Sequence, residues 1–98
     1  MLPVMTIVEG RISEGKSKDF EAAYGVLRAG ALTPGLRMSF LARDTVDSTF
    51  YRIIAVWESR EALDRMCSNA QVPAEIALFR SVGVEPQLRV HDIAQSIP

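Results

Sequence analysis

His91 is the only histidine in the chain and the one side chain whose ordinary pKa would let it exchange a proton near neutral pH, which makes it the natural base candidate. It stands two residues from Arg89, the spacing that puts both side chains on one face of a strand. A surface or interface histidine is the plainer alternative. Tyr24 falls on an otherwise apolar helix face, where its hydroxyl needs a partner: a bound phenol or quinone, or simply water or backbone. Arg52, between Phe50 and Ile54, sets a charge on a mostly apolar strand face and reads equally as an oxyanion-binding or a paired interface arginine. Trp57 closes the same strand, either as a packing residue or with its indole N–H facing a pocket mouth. Cys67 is the single cysteine, so neither an intrachain disulfide nor a cysteine cluster is available. With Arg60 as its one basic neighbour at helical spacing, it reads as a small apolar residue on a helix face.

No Ser-His-Asp order, glycine-rich phosphate loop or histidine-carboxylate spacing occurs, and Glu75 and Glu85 are isolated. Hydrolase, nucleotide-binding and metalloenzyme readings therefore have no support. The same absences predict that the protein carries no metal, haem or flavin.

The elements that must position these residues follow from periodicity. Residues 4–12 alternate as a strand, with Val4, Thr6, Val8 and Ile12 on one side. From Lys16 onward Phe20, Tyr24, Leu27 and Ala31 recur at helical spacing, and the helix stops before Thr33-Pro34-Gly35. Gly25 and Gly30 lie inside it. Each costs about 1 kcal/mol relative to alanine, so each needs a reason: close packing against the sheet, or room left for a ligand. Residues 36–43 form a second strand, with Leu36, Met38, Phe40 and Ala42 facing one way. A polar loop of hairpin composition leads to a third strand at residues 50–57, apolar on both faces. Ser59 caps a helix striped by Leu63, Met66, Cys67 and Ala70. Pro73 opens a short helix carrying Ile76 and Phe79, and residues 84–93 form the last strand, whose Pro86 points to an edge or a bulge. This order is the split βαβ arrangement of an α+β, ferredoxin-like fold with a four-stranded antiparallel sheet.

At 98 residues the chain, residues 1–98, is expected to be one domain. Hydrophobic residues at 48% and charged residues at 23% fit an ordinary globular protein. A net charge of −1 with scattered basic residues argues against a nucleic-acid partner. No apolar run is long enough to cross a membrane, and no signal-peptide core precedes Glu9 and Arg11; a cytoplasmic protein is expected. One helical layer can cover only one face of the third strand, so the other predicts a homodimer.

The run Val56-Trp57-Glu58-Ser59-Arg60-Glu61-Ala62-Leu63 resembles the strand-to-helix junction of antibiotic-biosynthesis-monooxygenase domains. Gly15 with its helix start, Thr33-Pro34-Gly35, the loop from Arg43-Asp44 to Asp47 and Phe50 occur in similar order, extending the resemblance over residues 4–93. The resemblance implies a dimeric α+β barrel with a pocket in each subunit between helices and sheet. It also implies one of several activities: cofactor-independent oxygenation of anthrones or quinols, haem degradation, or isomerisation. Haem degradation does not fit. Where haem-degrading relatives carry an asparagine, a tryptophan and a histidine iron ligand, ungapped counting places Val8, Met66 and Ile76, none of which can do that work.

The expected function is thus a cofactor-independent monooxygenase acting on a small apolar or aromatic, quinol-type molecule, with His91 and Tyr24 as catalytic candidates. Phe20, Leu27, Arg52, Trp57, Met66, Ile76 and Phe79 are the candidate substrate contacts, though each apolar one is also explained as plain core. A non-catalytic ligand-binding dimer and an isomerase on the same fold are the alternatives.

Overall fold

The computed structural model describes residues 2–30, 33–69 and 74–98. Along the chain come β1 (Val4–Arg11), α1 (Ser17–Gly30), β2 (Leu36–Arg43), β3 (Phe50–Trp57), α2 (Arg60–Asn69), α3 (Ala74–Ser81) and β4 (Gln87–Asp92). The strands form one sheet in the order β2-β3-β1-β4, and each neighbouring pair is antiparallel. The helices pack against one face, giving the ferredoxin-like α+β fold expected from the element order. Ala31, Ala70 and Pro73 lie outside the described residues.

Local chemistry explains where the elements begin and end. The hydroxyl of Ser59 accepts from the backbone N–H of Ala62 at 3.2 Å and so caps α2. Helix α3 ends where Gly83 takes a φ of 80°, letting the N–H groups of Gly83 and Val84 bond back to Arg80 and Phe79 at 3.0 Å each. Pro86 has no N–H to give a ladder, so β4 starts at Gln87 rather than at residue 84 and forms the sheet edge beside β1. Among the described residues no helix is long and apolar enough to cross a membrane.

The alternation expected in β1 and β3 holds: Val4, Thr6 and Val8, with Tyr51, Ile53, Ala55 and Trp57, are buried beneath the helices. In β2 one residue departs from it. The pairing of β2 with β3 slips between Leu36 and Met38, and this bulge turns Leu36 to the helix side, where it packs against the cluster around Trp57. Strict alternation had grouped Leu36 with Met38 and Phe40.

Two core clusters result. One, under α1 and α3, contains Val8, Phe20, Tyr24, Tyr51, Ile53 and Phe79; the other, under α2, contains Val4, Ala55, Trp57, Ala62 and Leu63. The opposite sheet face carries two apolar rows in register: Met38, Val56 and Met5, then Phe40, Ile54 and Ile7. Met38 is 57% and Phe40 43% exposed.

Candidate functional site

The cavity arises from side-chain size along the strands. On the helix side, one cross-strand row holds Ser39, Ala55, Thr6 and Val90. Ala55 packs with Ala62 and Leu63 of α2, while Thr6 and Val90 face open space. Helix α2 spans the gap with Leu63, Met66 and Cys67, and beneath it remains a cavity of about 170 Å³. Its walls include Val8, Trp57, Leu88 and Val90. Arg60, Asp64 and Glu75 add its charged groups. Arg60 and Asp64 are paired through Nε at 3.2 Å, one helical turn apart and both well exposed. Glu75 stands in the first turn of α3.

One polar contact lies within the apolar wall. The Trp57 indole N–H donates to Thr6 Oγ1 at 3.3 Å, and both residues are buried. Among the described residues no group of three or more metal-binding side chains occurs. Chemically the arrangement is a mostly apolar cavity with a hydroxyl in its wall and carboxylates among its outer groups.

Of the residues singled out from sequence, Trp57 and Met66 line this cavity. Phe20 and Phe79 have no exposed surface, and their rings lie tilted against each other, 4.8 Å apart, as core. Ile76 packs against that same core, and Leu27 lines a shallow groove between α1 and α3. Tyr24 finds a partner that was not anticipated: its hydroxyl is 2.7 Å from that of Ser39. It borders a separate polar depression beside Glu21, Gly25, Arg43 and Tyr51. There the Tyr51 hydroxyl donates to Glu21, and Arg43 approaches the same carboxylate at 3.5 Å.

His91 and Arg52 fall on the other side of the sheet. His91 pairs with Met5, and Arg52 with Glu9, residues whose neighbours Val4, Thr6 and Val8 are the ones pointing at the helices. Arg52 bonds Glu9 at 3.0 Å and lies 4.8 Å over the Phe50 ring, the paired arrangement rather than a free oxyanion donor. Alternation alone therefore separates these two residues from the cavity under α2.

A family model for antibiotic biosynthesis monooxygenases matches residues 3–74. The chain belongs to the antibiotic biosynthesis monooxygenase family. SnoaB, a cofactor-independent oxygenase from Streptomyces nogalater, is similar in structure with a TM-score of 0.81 for a mutant form, at 20% identity, covering 100% of this chain and 99% of its own. A heme-degrading protein from Mycobacterium tuberculosis reaches a TM-score of 0.74 at 19% identity, covering 99% of this chain and 97% of its own. A conserved protein from Methanosarcina mazei Go1 also reaches 0.74, at 11% identity, with 93% and 92% covered. At such identities these likenesses show a shared fold. No curated protein matches the chain at a significant level.

In this family member, sequence reasoning missed Thr6, Arg60, Asp64, Glu75, Leu88 and Val90 as cavity residues. The stripe of Leu63, Met66 and Cys67 on α2 was visible, and these do form the roof. Thr6 carried a signal too, as the one polar residue on the buried side of β1.

Proposed function

We propose that this chain is a cofactor-independent monooxygenase of small aromatic, quinol-type molecules, with the substrate ring in the cavity under α2. The observation that carries this reading is the apolar slot of about 170 Å³ walled by Trp57, Leu63 and Met66 in a chain of the antibiotic biosynthesis monooxygenase family. The likeness to a cofactor-independent oxygenase supports it. An electron-rich quinol can react with oxygen without a cofactor once its anion forms: one oxygen atom enters the ring, the other leaves as water, and the quinol itself supplies the electrons, emerging as a hydroxyquinone. The protein has to bind the ring, exclude bulk water and accept a proton.

Glu75 is the proton acceptor in this scheme, because it is the cavity carboxylate with no ion pair among the described residues. His91 and Tyr24 would contribute only if the substrate lay elsewhere. Haem is disfavoured as a ligand, since Val8 lines the slot where haem-degrading relatives carry an asparagine, and Ile76, at their histidine position, packs against the core instead. The apolar rows on the open sheet face form a homodimer contact, completing the barrel; a stable monomer in sedimentation at micromolar concentration would contradict it.

Oxygen uptake with a panel of quinols and anthrones tests the activity. Protein-dependent uptake that falls about a hundredfold in Glu75→Gln is expected. Saturable ring binding without any uptake would leave a ligand-binding module instead.

A further inference from the structure

The cavity under α2 has two properties that narrow what it holds, and both rest on its being the ligand site proposed above. The first is size. At about 170 Å³ it is close to the roughly 150 Å³ engineered cavity known to take up benzene, and two of its sides are blocked. Towards α1 and α3 the interlocked rings of Phe20 and Phe79, both without exposure, fill the space over Val8 and Ile53. Towards the end of β3 the indole of Trp57, packed with Val4 and Ala62, closes it. A second fused ring cannot extend in either of these directions.

The second property is the state of Thr6. This residue is 7% exposed, lines the cavity and accepts the Trp57 indole N–H. Indole nitrogen is a donor only, so the hydroxyl's own hydrogen is not used in that contact. Among the described residues no side chain or carbonyl accepts it. Having accepted one hydrogen bond, the hydroxyl is polarised towards donating another. It is thus an unspent donor in an apolar wall, where a missing partner is costly. We infer that the cavity is a single-ring site in which the Thr6 hydroxyl donates to a ring oxygen and so sets the orientation of a phenol or hydroquinone.

The test is anaerobic binding, measured by calorimetry with hydroquinone, 1,4-naphthohydroquinone, anthrone and p-xylene. The emission of Trp57, the only tryptophan, reports whether the cavity is filled. Hydroquinone should bind saturably and change that emission, with naphthohydroquinone and anthrone at least about tenfold weaker. Thr6→Val keeps the shape and removes the donor, and should weaken hydroquinone about fivefold to tenfold, the worth of one hydrogen bond. It should leave p-xylene within about twofold, and Thr6→Ser should retain hydroquinone binding. Should Thr6→Val not fold, the preference of the unaltered protein and of Thr6→Ser for hydroquinone over p-xylene carries the same information. Anthrone binding as tightly as hydroquinone, or equal losses for hydroquinone and p-xylene in Thr6→Val, would overturn the inference. Because no oxygen is present, the outcome is separate from turnover: oxygen uptake with anthrone alone would sink the single-ring site and spare the oxygenase reading, whereas hydroquinone binding without uptake would do the reverse.

Discussion

Under α1 and α3 the helix layer is packed solid, with the rings of Phe20, Tyr51 and Phe79 tilted against one another at centroid distances of 4.8 and 5.1 Å. Under α2, on the same sheet, a cavity of about 170 Å³ remains. The difference follows from what the helices bring to the sheet. Tyr51 and Ile53 meet aromatic rings descending from the first and third helices, whereas α2 brings no ring, and its Leu63, Met66 and Cys67 leave space over Thr6 and Val90. A domain of this size lives on a margin of about 5–15 kcal/mol, so one well-filled half lets the other stay hollow. The lesson is that close packing and open space are divided between neighbouring helices rather than shared by all three.

The contrast can be broken by truncation on each side. Phe79→Ala should cost about 3–5 kcal/mol in chemical denaturation, the usual loss for an enclosed ring. Met66→Ala, beside space that is already empty, should cost about 1 kcal/mol. Similar losses would mean that the two halves are equally packed. Gly35→Ala probes a place where α2 is held tightly. Gly35 has a φ of 85°, and a Cβ there would overlap that of Ala62. Left-handed strain and overpacking together should cost about 3 kcal/mol in the same measurement. Gly25→Ala should act the other way. A Cβ at Gly25 meets nothing within 4 Å, so close packing does not explain this glycine, and alanine should raise stability by about 0.5–1 kcal/mol. A loss would show that the depression beside Tyr24 needs the open space.

The smallest expected effect lies outside both halves, in the loop between β2 and β3. Hydrogen bonds from the Thr49 hydroxyl and backbone N–H, then from Arg11, lower the Asp47 pKa from 3.8 to about 2. A depressed folded-state value gives stability that is complete above the unfolded pKa and is lost as the pH falls from about 4 through about 2. Asp47→Asn should therefore be slightly less stable at pH 6, and the gap should close as both proteins are titrated to pH 2. A gap of constant size would show that the loop gains nothing from the charge.

Much of the fold was legible because it depends on local pattern. The buried side of β1, the cap at Ser59, the stripe on α2 and the edge position of the last strand each follow from spacing or from one residue's backbone chemistry. The site was legible only in part. Apolar residues at helical spacing mark what a helix buries, but not whether the space below it is full. Phe20, Phe79 and Met66 look alike in sequence, yet two are core and one roofs the cavity. Leu36 was misassigned because a bulge is set by cross-strand register, which a single strand's alternation does not contain.

By itself the sequence determined the order of elements and the two apolar faces of β3, since each is a matter of residue types and periods of about 2 or 3.6. Tertiary structure alone decided which side chains share a space. It carried His91 and Arg52 to the sheet face away from α2, joined Tyr24 to Ser39 and brought Thr6, Trp57 and Glu75 to one cavity. The physical reason is that a pocket is the volume left over when elements distant in sequence meet, fixed by strand register and by the lengths of facing side chains together.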